Sequence, residues 1–467
     1  MDGDRLRIRG NAVRCLFLHR KKRADYPVNK NLLFATIVSA LGSFLFGFDT
    51  AVISGTTKFI TAFFGLTDTT LGITVSVALW GTMLGSIIVG KPGDAWGRRA
   101  VLVVCGVAYF VSALGCALAG GWYELLAFRF LGGIAIGASS VMAPMYIAEI
   151  APAKMRGRLV AVSQLNIVIG ILVAFLTNYL LVNVGGDNWR WMFGVMAIPA
   201  AVFFALLFVV PDSPRWLVKT GQPGKARSVL ERVGAEDVDS ELTDIVQSLK
   251  EEQGSTNLLQ KKYSFAIWCA VLLPFFGILS GINVIMYYAP MIFEKGGAST
   301  DAAMLQAVVV GITNLVFTVL AMFFIDRFGR RPLLMVGAVG MCLSMTGAAV
   351  HYYDQNLFGN GAMVACVIAF VAFFAFSVGA VIWVFLSEIF PNRVRSKGQA
   401  LGTFVDWLVN AVVGLLFPVA LTVFGGGAVF LFFALLEIPF FIFVLKVMPE
   451  TKGKSLEELE KFIVLER

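Results

Sequence analysis

Gly93-Asp94-Ala95-Trp96-Gly97-Arg98-Arg99 is followed 232 residues later by Ile325-Asp326-Arg327-Phe328-Gly329-Arg330-Arg331. Each copy is a short charged turn between two long apolar segments. Two further pairs keep the same order. Glu149 and Arg156 recur as Glu388 and Arg395 at an offset of 239, and Pro211-Asp212-Ser213 recurs as Pro449-Glu450-Thr451 at an offset of 238. Three charged features at nearly one spacing describe a chain built from two similar halves.

The composition gives the medium in which those halves fold. Hydrophobic residues make up 58% of the chain and charged residues 15%, and the mean hydropathy is +0.80, outside the range of soluble domains. A helix needs about 20 apolar residues to cross a bilayer. Such stretches lie at about 31–54, 72–91, 100–120, 124–146, 160–182 and 190–210, and again at 265–291, 303–325, 332–351, 361–386, 397–422 and 426–447. Their runs of Phe, Gly and Leu lack strict alternation, which points to helices rather than barrel strands. The expectation is an all-α membrane protein with twelve transmembrane helices in two six-helix bundles. A parallel repeat of six spans is common among transporters.

The chain divides into a basic leading segment 1–30, a first half 31–211, a linker 212–262, a second half 263–448 and a tail 449–467. The leading segment carries nine Lys and Arg, and the loops at 91–99, 154–158, 212–262, 327–331 and 393–397 are basic as well. The intervening loops hold little beyond Lys58, Lys295 and Arg190, so both termini are expected in the cytoplasm. The net charge of +8 is then a topology signal rather than a nucleic-acid footprint. Cys15-Leu16-Phe17-Leu18 is too short for the apolar core of a signal peptide. In the linker, Leu, Val and Ile recur at helical spacing among charges, which predicts short amphipathic cytoplasmic helices. The tail at Ser455–Glu460 opens like a capped helix. Six scattered cysteines show no metal-like spacing. Neither histidine, His19 nor His351, has a nucleophile or metal motif beside it, so no cofactor and no enzymatic activity is expected.

Charges inside spans are costly, about 2.5 to 3.5 kcal/mol each even on a lenient scale, and are functional candidates for that reason. Asp49, Arg129, Asp406 and Glu437 are four such residues. A plain role for Asp49 is a hydrogen bond between helices. The functional role is a carboxylate held near Arg129 that loads a proton on one side and releases it on the other. Gly97 and Gly329 permit tight turns, while Asp94 and Asp326 are placed to accept from helix N-termini or to pair with the Arg of a neighbouring loop, and Arg98 and Arg330 are counted with them as gating residues. Glu149 with Arg156, and Glu388 with Arg395, are expected to form further pairs that gate the cytoplasmic side.

With these residues in hand, the chain resembles the sugar porter family of the major facilitator superfamily over essentially its whole length. Pro144-Met145-Tyr146-Ile147-Ala148-Glu149, Pro211 to Leu217, Gly281-Ile282-Asn283, Tyr287-Tyr288-Ala289-Pro290, Trp383 to Pro391 and Pro449 to Gly453 join the two turns in carrying that resemblance. It implies the major facilitator fold, alternating access, and a monosaccharide or polyol site between the halves. The family's proton-coupled members carry Asp at the position of Asp49, where its passive carriers have Asn, as in bacterial pentose and hexose symporters. It also implies sugar contacts at Gln164, Asn283, Tyr287, Asn314 and Trp383, with Phe46 and Asn410 as second-rank contacts. Amides supply a donor and an acceptor, suited to a hydroxyl pair.

The departures from the family pattern concern the substrate. Gly277-Ile278 stand where two Gln usually precede the Gly-Ile-Asn motif, Gly379-Ala380 replace a Gly-Pro, and Asp406 stands where Gln or Asn is usual beside Trp407. One expectation joins them: Asp406 substitutes a strong acceptor for the lost amides, and Gly277 leaves room for a shifted ligand. The expected partners are a sugar, protons and the lipid bilayer, with no nucleic acid, in a monomer of the cell membrane. A uniporter and a proton-driven exporter are the alternatives.

Overall fold

A computed structural model describes residues 29–152, 155–235, 237–251, 258–354, 361–391 and 394–452; among its helical residues the side chains of Arg156, Arg158, Lys250, Glu251 and Asp326 are outside that description. The first half contains α1 (Lys30–Phe64), α2 (Asp68–Ile88), the short α3 (Gly90–Trp96), α4 (Arg98–Leu118), α5 (Trp122–Ile150), α6 (Arg156–Leu181), α7 (Asn188–Gly194) and α8 (Ala197–Leu206). The linker forms α9 (Pro214–Lys219), α10 (Pro223–Val233) and α11 (Val238–Glu251). The second half contains α12 (Ser264–Leu279), α13 (Ile282–Lys295), α14 (Thr300–Phe328), α15 (Arg330–Tyr353), α16 (Ala362–Phe376), α17 (Val378–Glu388) and α18 (Arg395–Lys446). No strand occurs among the described residues, and the protein is an all-α, multi-pass membrane protein.

Eleven helical stretches are long and apolar enough to cross a bilayer, but the last contains 52 residues. At 1.5 Å per residue it would run about 78 Å, more than twice a hydrocarbon core. Gly425, at φ 79° and ψ 158°, breaks it into two crossings, which restores twelve. The first helix outruns its expected end because Gly55-Thr56-Thr57 stays helical, so α1 continues to Phe64 and is closed by Gly65 in the left-handed conformation.

Three crossings are broken, where the sequence reads as continuous apolar runs. The sixth turns at Val195–Met196 between α7 and α8. The seventh breaks between α12 and α13 at Gly281 (φ 93°), and the tenth between α16 and α17 at Ser377 (φ −120°, ψ −88°). Hydrophobicity cannot reveal such breaks, since apolar content is the same on both sides. Side-chain hydroxyls take up nearby carbonyls: Ser280 donates to Gly277 at 2.7 Å, and Ser377 to Phe373 at 2.5 Å. Broken helices persist at membrane depth where they line a cavity.

Within the first half α2 packs on α5 and α1 on α6. Backbones approach closely there: a Cβ on Gly133 would lie 2.0 Å from the carbonyl oxygen of Ala78, the small-residue packing expected when lipid offers no hydrophobic drive between helices. The halves meet along α1 with α13, α2 with α18 and α6 with α14. The linker is attached to the first half, where Asn31 donates to the carbonyl of Arg232 at 3.0 Å. That face is called the linker side below and the opposite face the far side.

Candidate functional site

Asp49 on α1 and Arg129 on α5 form a bidentate pair near mid-depth. One guanidinium nitrogen donates to both carboxylate oxygens, at 2.8 and 2.9 Å, and each residue is only 2% exposed. The guanidinium also lies 5.7 Å from the centre of the Phe193 ring. Breaking such a pair by removing one partner leaves an uncompensated buried charge, at a cost of about 3–5 kcal/mol. The pair therefore locks α1 to α5 whenever Asp49 is ionised.

The pair borders a cavity of about 10 Å³, room for one water-sized body. Asp49, Thr50, Leu79 and Arg129 of the first half bound it together with Tyr287 and Trp407 of the second. Phe46, one turn before Thr50, lies 5.5 Å from the Trp407 ring. Asn410 donates to the Tyr287 hydroxyl at 2.9 Å. The acidic pair and the aromatic seam between the halves thus share one small space. Trp407 is the central residue that the sequence reading treated only as a neighbour of Asp406.

The remaining polar candidates are set around this centre. Gln164 on α6 and Asn283 on α13 are half-buried. Asn314 on α14 is 8% exposed and accepts from Thr318 at 3.4 Å. Trp383 on α17 is 40% exposed, whereas Asp406 on α18 is 7% exposed and within electrostatic reach of the Tyr287 hydroxyl. Among the described residues, the side chains of Gln164, Asn283, Trp383 and Asp406 make no hydrogen bond to protein, and no described contact ties Gln164, Asn283 or Trp383 to the small cavity. Polar groups at membrane depth with no protein partner belong beside a wet cavity or a polar ligand.

One expectation is overturned. Gly277 does not open space for a ligand: a Cβ there would lie 2.7 Å from Cδ1 of Ile382 and 3.1 Å from Cγ1 of Val378. The room left by a small residue on α12 is filled by α17, and Ile278 is buried at 5% exposure. At these two positions amide chemistry is replaced by helix packing.

The duplicated charged features converge in each half. Arg98 pairs with Asp94 and Glu149, both at 3.0 Å, and Ser213 donates to the other oxygen of Glu149. In the second half Arg330 pairs with Glu388 at 2.7 Å, and Thr451 donates to the other oxygen of Glu388 at 2.6 Å. The three repeats of the sequence are three members of one cluster, built twice. The described partners of Glu149 and Glu388 are these, and the expected pairing of Glu149 with Arg156 lies outside the described residues. Arg395 donates to the carbonyl of Phe390 at 3.3 Å, while the side chains of Arg156 and Asp326 lie outside the described residues. Glu450 accepts from the backbone of Arg330 and Arg331 at 3.1 and 3.0 Å, capping α15 with negative charge where the helix dipole favours it.

Asp94 also pairs with Lys219 of α9 at 3.1 Å. Partial burial opposes its ionisation, but Lys219 and Arg98 outweigh that and hold the carboxyl below the usual carboxylate range. Each cluster lies within its own half together with the adjoining linker or tail. The described side-chain bonds that join the halves are at the opposite face. Lys58 donates to Glu294 at 2.9 Å and to Thr300 at 2.5 Å, and Asn183 donates to Asp301 at 3.4 Å. Both linker-side clusters are formed while these far-side bonds are in place.

Residues 35–462 match the family model described as Sugar (and other) transporter. The chain belongs to this family. Among its relatives in the sugar transporter family is the D-xylose-proton symporter of Escherichia coli (strain K12), 37% identical over 472 residues, with 92% of this chain and 96% of that protein covered. The arabinose-proton symporter of Bacillus subtilis (strain 168) is 35% identical, with 92% and 94% covered. The inward open conformation of the xylose transporter XylE from E. coli superposes with a TM-score of 0.82 at 36% identity, covering 92% of this chain and 99% of that one. XylE bound to 6-bromo-6-deoxy-D-glucose superposes with a TM-score of 0.77 at 37% identity, covering 92% and 98%. These relatives are transporters, not enzymes, and the fold of this chain is theirs.

Proposed function

We propose that this protein is a proton-coupled monosaccharide symporter of a bacterial inner membrane, working by alternating access as a monomer, with the linker and both termini in the cytoplasm. The observation that carries the reading is the buried Asp49–Arg129 pair, because it adjoins the cavity bounded by Tyr287 and Trp407. A charge change at Asp49 is thereby felt at the seam where the two halves meet. The relatives that couple xylose or arabinose to protons support a pentose or hexose as cargo, and the resemblance between this arrangement and inward open XylE supports a cytoplasm-facing state with the far side as the closed outer gate.

In this scheme a proton reaching Asp49 removes the charge that holds Arg129, and α1 is released from α5. Gln164 presents its amide from the first half, while Asn283, Asn314 and Trp383 present polar and aromatic surface from the second. Tyr287 and Asn410, already bonded to each other, hold α13 against α18. Phe46 and Trp407 form the contact across the seam. Asp406 offers two unpartnered acceptor oxygens to sugar hydroxyls, and such charge-assisted bonds are roughly twice as strong as neutral ones. Asp94, Arg98, Glu149, Arg330 and Glu388 keep each half rigid on the cytoplasmic side, with Arg156, Asp326 and Arg395 assigned to the same face. The gate on that side is then the separation of two rigid clusters, rather than the rupture of either.

Uptake of labelled pentoses, hexoses and inositol into proteoliposomes, with and without an inward proton gradient, tests the reading. Accumulation of one sugar only with the gradient is expected. Gradient-independent equilibration would make the protein a uniporter with a structural Asp49, and silence across the panel would remove simple sugars as cargo.

A further inference from the structure

Glu437 is a fourth ionisable residue at membrane depth, and the transport scheme makes no use of it. It lies on the second crossing of α18, eleven residues past Gly426 and nine before Lys446, close to the middle of the bilayer. It is 2% exposed, and its Oε2 has no hydrogen-bond partner. No described Lys, Arg or His pairs with it. Beside it is a groove of about 220 Å³ between α15 and α18, lined by Ala338, Val339, Cys342, Leu343, Ile438 and Phe441.

The groove opens outward, toward lipid. Val339, Leu343 and Ile438 are 47%, 68% and 50% exposed on the outer face of the second half, whereas the opposite face of the same helix is turned inward. There Phe440 packs on Phe276 of α12 at 5.9 Å, and Phe433 lies under Gly281 at the break of the seventh crossing. The groove is therefore separate from the seam between the halves. Its volume exceeds the roughly 150 Å³ of an apolar cavity that takes benzene. A carboxyl group at the floor of an otherwise apolar, lipid-open groove calls for an occupant that is apolar in its body and bears one complementary basic group.

We propose that this groove is a binding site for a lipophilic amine that enters from the hydrocarbon phase and pairs its nitrogen with the Glu437 carboxyl. A fixed cation would have to shed its hydration to reach this depth, at the cost of a charge in hydrocarbon. A carboxylic acid and a free-base amine both arrive without net charge. They then share one proton in a single hydrogen-bonded pair, whichever atom holds it, and nothing else is gained or lost. A lipid headgroup amine is anchored at the interface, about 15 Å from Glu437 by the helix rise, so the occupant is a small amine free in the membrane core.

The test uses the full chain in nanodiscs with octylamine as the probe and octanol as its neutral match. Octylamine should raise the unfolding midpoint of the wild-type protein by several degrees, and should leave Glu437→Gln unmoved. An equal rise with octanol, or an equal rise in Glu437→Gln, would overturn the proposal. A second measurement needs no variant. Dicyclohexylcarbodiimide adds to a carboxylic acid in apolar surroundings: the acid proton passes to nitrogen and the carboxyl oxygen bonds to the central carbon, giving an O-acylisourea that rearranges to a stable N-acylurea. Peptide mass spectrometry should find that adduct on Glu437, reduced several-fold by octylamine while adducts on Asp49 and Asp406 are unchanged. Failure to label Glu437, or labelling indifferent to octylamine, would overturn it. Oxidative cross-linking of Cys342 between two chains, with loss of labelling on dimerisation alone, would assign the groove to a second copy instead.

Discussion

At the scale of single residues, the Asp49–Arg129 pair predicts an asymmetry. Asp49→Asn keeps the shape and one of the two acceptor oxygens while removing the charge, so accumulation should be lost and sugar exchange retained, as read by counterflow against uphill uptake. Arg129→Leu strands a carboxylate at 2% exposure, at a cost of about 3–5 kcal/mol by thermal unfolding, while Asp49→Asn strands the guanidinium but leaves it one amide acceptor and should cost less; no loss in Arg129→Leu would argue against a charged pair. Asp406 is separable in the same way. Loss of sugar binding in both Asp406→Asn and Asp406→Ala requires its charge, while wild-type affinity in both removes it from the site. Asp94 supplies the pH control. Its carboxyl is held below the usual range, so its stabilising effect is complete above the unfolded value and is lost only as pH falls through the lower folded one, below about pH 4. The stability difference between wild type and Asp94→Asn should therefore be flat from pH 5 to 8, and a slope there would mean that another group titrates with it. The charged residues were legible one by one because charge in hydrocarbon is rare. Trp407 was not, since an aromatic residue in an apolar helix carries no signal of its own.

At the scale of elements, the repeated turns show what the duplication preserves. Gly97 and Gly329 have nearly the same conformation, φ 88° and 95° with ψ 158° and 167°, which residues with a Cβ rarely adopt. Gly97→Ala adds a second fault, because its Cβ would lie 2.9 Å from the Trp216 ring. Gly425 shares the conformation at φ 79° but has nothing within 4 Å. Gly425→Ala should thus cost only the backbone strain of about 1–3 kcal/mol, and Gly97→Ala distinctly more; equal unfolding midpoints would refute the comparison. Turns of this kind were readable from Gly next to Arg-Arg. The breaks at Gly281 and Ser377 were not, although they precede Asn283 and Trp383, because hydropathy averages over the very residues that interrupt the helix. The identity of the Glu149 and Glu388 partners was half legible: three repeats were visible, but their meeting in one cluster depends on how α4, α5 and the chain after α8 pack together.

At the scale of the whole molecule, the described side-chain bonds between the halves lie at one face, and the balance between conformations should respond to those bonds. Lys58 bridges Glu294 and Thr300 at the far side with its own side chain 52% exposed. An exposed ion pair contributes about 0.2–1 kcal/mol, so Lys58→Met should shift the population toward opening at that face by roughly 1.4- to 5-fold. Disrupting a linker-side cluster has a different effect. Because Arg98 and Glu149 belong to the first half and Ser213 to the linker attached to it, Glu149→Gln loosens that half without removing any described bond between halves. Paired spin labels at the far-side ends of α1 and α14 distinguish the two: the distance distribution should gain a longer component in Lys58→Met and broaden without a new component in Glu149→Gln. A new component in Glu149→Gln equal to that in Lys58→Met would mean that the cluster reaches across the seam after all, and that the two halves do not move as separate rigid bodies.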